Sequence, residues 1–115
     1  MPYFMIQVSY TPEAWAAMLK NPHDRGEAVR GVIEALGGRM EQFWYAFGEY
    51  DVVAIAQMPN NVGAAAFALA AVAGGACKAY KTTPLLTPEE AIDSMKKAAA
   101  SKYKPPSVKA RKAGP

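Results

Sequence analysis

The sequence predicts an α+β protein: a four-stranded antiparallel sheet with two helices on one face, ordered βαββαβ, then a C-terminal helix and a basic tail. Three observations predict it. Short apolar segments rich in aromatic and β-branched residues recur near residues 3–10, 39–47, 52–58 and 77–86, the length and composition of strands. Between the first and second, and between the third and fourth, lie stretches with helical spacing or high alanine content. Glycine and proline clusters punctuate nearly every junction.

Each element follows from local chemistry. In Tyr3–Tyr10, Phe4, Ile6 and Val8 share one face, while Tyr3, Met5, Gln7 and Ser9 share the other. Thr11-Pro12-Glu13 starts a helix, with a hydroxyl to cap the first free N–H groups and a proline where no N–H is needed. Ala14, Trp15, Met18 and Leu19 form its apolar stripe until Asn21-Pro22 interrupts it. A second helical run places Val29, Val32, Ile33 and Leu36 on one side and closes at Gly37-Gly38. Arg39–Phe47 and Val52–Met58 then form a hairpin about the turn Gly48-Glu49-Tyr50-Asp51. Gly48 is expected to supply a positive φ there, and Asp51 to bond nearby N–H groups. Pro59-Asn60-Asn61 leads into a helix over about 62–72 whose alanines imply close approach to the sheet or to another subunit, and Gly74-Gly75 ends it. A fourth strand spans about Cys77–Leu86. Thr87-Pro88-Glu89-Glu90 has the spacing of a capping box and opens a helix to about Tyr103, stopped by Pro105-Pro106. The domain is drawn as residues 1–93, with the rest of the helix and the tail as 94–115. The βαββαβ order is the split, ferredoxin-like arrangement.

With 51% hydrophobic residues the chain can fold around one modest core, which excludes a disordered protein. A single cysteine, Cys77, excludes an internal disulfide framework and any CxxC metal site; paired with Lys78 on opposite strand faces, it is not expected to be a nucleophile. Met1-Pro2-Tyr3-Phe4 lacks the basic and apolar regions of a secretion signal, and the alanine-rich stretch is too short to span a bilayer, so a cytoplasmic protein with no membrane association is expected. All ten acids fall within residues 1–93 beside six bases, whereas 94–115 carry seven bases and no acid. Such a tail can attract anionic partners, but it lacks the interleaved aromatics of nucleic-acid binders. Solubility, or docking from about Lys104 onward on the acidic body of a neighbouring subunit, is expected instead of nucleic-acid binding.

Both faces of every strand are apolar. Tyr3 and Met5 lie opposite Phe4 and Ile6; Trp44 and Ala46 opposite Phe43, Tyr45 and Phe47; Val53 and Ile55 opposite Val52, Ala54 and Ala56. Helices cover one face, so the other needs a partner: either a second copy meeting it face to face, giving a homodimer or higher homo-oligomer, or the chain's own C-terminal helix. The dimer is the expectation.

The turn Gly48-Glu49-Tyr50-Asp51, preceded by Leu36-Gly37-Gly38 and followed by Thr87-Pro88-Glu89-Glu90, resembles the GYD-domain family over residues 3–93. The resemblance implies similarity to the dimeric α+β barrel superfamily; it assigns no catalytic role.

Candidate ligand-binding residues are Trp15, His23, Trp44, Tyr45, Glu49, Tyr50 and Asp51. His23, the only histidine, offers a haem ligand or a general base with Asp24 orienting it, but as a loop residue after proline it is expected to be solvent-exposed instead. Glu49, Tyr50 and Asp51 offer two carboxylates and a phenol, for ligand contacts or for turn bonding. The aromatics suit a pocket for a flat, apolar or aromatic molecule and also an ordinary core. No GxGxxG, P-loop, GxSxG or HExxH pattern occurs, and no cofactor or metal is expected. Three classes of function stay open: a self-associating small-molecule-binding domain with an aromatic-lined pocket near the sheet–helix junction, which leads; a small cofactor-poor monooxygenase-like or haem-handling enzyme; and an interaction protein using its basic tail.

Overall fold

A computed structural model describes residues 1–106 of the 115-residue chain. Its elements run β1 (Tyr3–Tyr10), α1 (Pro12–Lys20), α2 (Arg25–Ala35), β2 (Arg39–Tyr45), β3 (Val52–Gln57), α3 (Asn61–Ala73), β4 (Cys77–Leu85) and α4 (Pro88–Ala100). The chain divides into one unit, Met1–Leu85, and a second beginning at Leu86. The docking expected of the basic tail falls mostly on residues 107–115, outside the described residues.

Local signals set the helix ends. Thr11 Oγ1 accepts the Ala14 N–H at 3.1 Å, Asp24 Oδ1 accepts the Gly26 N–H at 2.8 Å, and Asn60 Oδ1 accepts the Gly63 N–H at 3.0 Å, each satisfying a donor that the helix leaves free. α4 opens on a full capping box, with Thr87 Oγ1 taking the Glu90 N–H and Glu90 Oε1 taking the Thr87 N–H. Gly37 and Gly75, just past α2 and α3, have positive φ of 84° and 81°, which glycine adopts without steric cost.

The first unit is built on an antiparallel sheet of order β2-β3-β1-β4. Ile6 stands opposite Ala54 and Thr82, and Val8 opposite Val52 and Tyr80, so these side chains share one face with Phe4 and Ala56. A register shift between Met40 and Gln42 puts two residues of β2 against one of β3, so that Met40, Phe43 and Tyr45 all join that face. α2 and α3 lie over it, contributing Ile33, Ala64 and Phe67 to the buried cluster. Ile33 is fully buried, a contribution of about 1.5–3 kcal/mol relative to exposure. On the same face the Tyr80 and Thr82 hydroxyls are buried beside one another, with no other partner among the described residues. The other face carries Tyr3, Met5, Val53, Ile55 and Trp44, none of them fully buried, and Trp44 is 63% exposed.

The hairpin turn departs from expectation. β2 ends at Tyr45 and β3 begins at Val52, so the reversal spreads over residues 46–51, and Gly48 does not have a positive φ. Ties to β1 shape this loop: the Asp51 N–H donates to the Val8 carbonyl at 2.8 Å, and the Ser9 hydroxyl donates to the Glu49 carbonyl at 2.7 Å. The Ala46 N–H donates to the Asp51 carbonyl at 2.8 Å and closes it. A longer, anchored loop needs no left-handed residue at Gly48, and a Cβ built there meets nothing within 4 Å. Gly48→Val is therefore expected to leave stability within about 0.5 kcal/mol of wild type. A thermal melt showing a clear loss would restore the tight-turn geometry.

Candidate functional site

α2 and α3 stand apart over the sheet and leave a cavity of about 280 Å³ within the first unit. Ile6, Val8, Val52 and Ala54 form its floor. Arg25, Ala28, Val29 and Val32 of α2 form one wall; their i, i+3, i+4, i+7 spacing places them on one side of the helix. Phe67, Ala70, Ala71 and Gly74, from α3 and its C-terminal end, form the other. Ala64 approaches the sheet closely, as expected of an alanine-rich helix, whereas Ala70 and Ala71, having no bulk beyond Cβ, leave room. Ala28, Val32, Ala70 and Gly74 are exposed and mark the open rim, while the floor residues are buried.

Three polar side chains interrupt this apolar lining: Tyr10, Arg25 and Cys77. Burial pushes the Tyr10 hydroxyl above its ordinary pKa and the nearby Arg25 charge opposes that shift; the same pair of causes acts on the Cys77 thiol, whose pKa is also raised. Both therefore stay protonated at neutral pH and serve as donors. The Cys77 thiol points at the Ala71 carbonyl, 3.6 Å from it.

The residues singled out from the sequence fall in different places, and none of the seven lines this cavity. Three of them support it from behind. Asp51 Oδ2 accepts the Tyr10 backbone N–H at 2.9 Å and the Trp15 indole N–H at 3.2 Å, and the Trp15 ring meets Tyr10 edge-on with centroids 5.6 Å apart. The Tyr45 hydroxyl accepts the Arg25 backbone N–H at 3.3 Å and its ring meets Phe43, a lining residue, at 5.4 Å. His23 is exposed in the link between α1 and α2, its Nδ1 2.8 Å from the Asn21 carbonyl oxygen. Glu49 is exposed and Tyr50 half-buried in the loop before β3. Trp44 belongs to the opposite sheet face, its indole N–H donating to Gln42 Oε1 at 3.0 Å.

Sequence reasoning passed over Arg25, Tyr10, Phe67 and the cavity role of Cys77. A signal for Arg25 was present: it shares a helical face with Val29 and Val32, an unusual place for a charge that only meets solvent. Among the described residues no group of three or more His, Cys, Asp or Glu side chains could share a metal ion, and no helix is long and apolar enough to cross a membrane.

Fold and cavity together define an α+β domain with a small, mostly apolar chamber between its sheet and its helices. The GYD domain model matches residues 4–95, and the chain belongs to that family. The solved crystal structure of MtbAldR is similar in fold, with a TM-score of 0.54 at 14% identity over 75% of this chain; the chain spans about half, 53%, of the MtbAldR chain. No curated protein matches.

Proposed function

We infer that this GYD domain is a self-associating, ferredoxin-like domain that binds a small apolar molecule in the cavity between the sheet and α2 and α3. The cavity itself carries the reading: about 280 Å³ of space bounded by aliphatic and aromatic side chains, with few polar groups and an open rim between two helices. Ligand sites are concave, chiefly apolar and supplied with a few orienting polar groups. The neutral dye N-phenyl-naphthylamine, which brightens in apolar surroundings, tests it. Wild-type protein is expected to bind the dye, and Ala71→Leu, which adds bulk to the α3 wall, to bind it several-fold more weakly. An equal response from the two proteins, or no response from the wild type, overturns the reading.

Self-association rests on the second sheet face. Tyr3, Met5, Val53 and Ile55, none fully buried, and the largely exposed Trp44 set apolar groups among Gln7, Gln42, Gln57 and Lys81 on a face that would pair with a second copy in the dimeric α+β barrel manner. Trp44→Glu would place a charge in that contact and is expected to shift the protein to monomer in light scattering. Wild-type protein that is monomeric at high micromolar concentration removes this part of the reading.

A further inference from the structure

We propose that the occupant of the cavity is a small hydrophobic carboxylic acid, bound with its hydrocarbon body over the sheet and its carboxylate on the Arg25 guanidinium beside the Tyr10 hydroxyl. The proposal rests on the cavity being the ligand site and adds the chemistry of what enters it.

The lining contains one cation and no anion: Arg25 stands among aliphatic and aromatic neighbours, and no Asp or Glu side chain borders the space. Among the described residues no carboxylate lies within 4.0 Å of the Arg25 guanidinium; the two ion pairs found there belong to Arg30 and Arg39. Asp24, its neighbour in sequence, is occupied with the Gly26 N–H and lines a separate, polar cleft with Glu27, Arg30 and Tyr45. Within the chamber one neutral oxygen, the Tyr10 hydroxyl, faces this half-buried guanidinium, which has five donors and no acid partner and so keeps donors over for a further acceptor. A carboxylate matches its planar fork with two parallel hydrogen bonds, and that match is among the stronger polar contacts available to a protein.

The surroundings narrow the class further. Arg25 is the first residue of α2, with its backbone N–H fixed by the Tyr45 hydroxyl, so the side chain springs from an anchored point at the positive end of a helix. Tyr10 is held by its ring contact with Trp15 and by the bond from its backbone N–H to Asp51. Protonated at neutral pH, its hydroxyl supplies a second donor. One arginine and one phenol suit a single negative charge; a phosphate, with more charge and more acceptors, would be undermatched here. The remaining lining suits only hydrocarbon.

A matched pair of probes separates the charge from the hydrocarbon. Naphthoate and naphthamide share one ring system and differ in charge, and calorimetric titration of both into wild-type protein is the first measurement. Wild-type protein is expected to prefer naphthoate by about tenfold or more, the scale of one charge-assisted pair. Arg25→Gln is expected to abolish that preference while still binding naphthamide, and Arg25→Lys to retain part of it. Equal binding of the two probes by the wild type overturns the carboxylate assignment while leaving the apolar site in place. A preference that survives in a folded Arg25→Gln protein also overturns it. Binding of neither probe, together with no response to the neutral dye, removes the site and the proposal with it.

Discussion

Gly38→Ala is expected to destabilise the protein by about 3 kcal/mol, the upper part of the range for overpacking a core. A Cβ at Gly38 would stand 2.5 Å from the Gln57 carbonyl oxygen, 2.5 Å from Met58 Sδ and 3.2 Å from Ile33 Cγ2. The first of these atoms is backbone in β3, and the other two belong to side chains with no exposed surface, so none can give way cheaply. Relief requires β2 to draw back from β3 at the point where α2 hands over to the sheet. That loss is a large share of the roughly 5–15 kcal/mol by which small domains are stable. Gly31 is the control: a Cβ there meets nothing within 4 Å, and Gly31→Ala in the exposed middle of α2 is expected to gain about 0.5–1 kcal/mol. Urea denaturation of the two variants should move the midpoints in opposite directions. Equal midpoints would mean that the approach of Gly38 to β3 is looser than these distances.

Asp51→Ala is expected to cost about 2–3 kcal/mol, because it strands two donors at once. The Tyr10 backbone N–H and the Trp15 indole N–H converge on the same carboxylate oxygen, and Tyr10 is almost wholly buried. Asp51→Asn keeps an acceptor in place without its charge and is expected to cost about 1 kcal/mol, a neutral bond replacing a charge-assisted one. Losing the clamp frees Trp15 from Tyr10, so near-ultraviolet circular dichroism should weaken along with stability. An Asp51→Ala protein that melts with the wild type would show that neither donor depends on the carboxylate.

Short-range chemistry made most of the fold legible. Thr11 and Thr87 announce helices because a cap acts within three residues of itself, and Gly37-Gly38 ends one for the same reason. The register shift after Met40 was not legible, since it depends on which residue of β3 stands opposite, and neither was the loop at 46–51, whose path is set by bonds to β1. The candidate site divides in the same way. Trp15, Tyr45 and Asp51 drew attention through their chemistry, and folding places them one layer behind the cavity, holding Tyr10 and Arg25. The lining residues Ala28, Val29, Val32 and Ala71 carry no chemistry that a sequence displays; they matter through the volume they leave empty.

The alanine wall of α3 separates two properties that are usually coupled. Alanine is the strongest helix former, so α3 does not rely on what it presents to the chamber for its own persistence as a helix. Leucine ranks close behind alanine in the same respect, so exchanges between the two at Ala70 or Ala71 trim the chamber without taxing the helix that borders it. On the proposed reading, ligand size is governed by side chains on the α3 wall, while the charge that would orient the ligand sits on the opposite wall. Under that reading, selectivity for length and selectivity for head group rest on separate residues and can be altered independently by substitution.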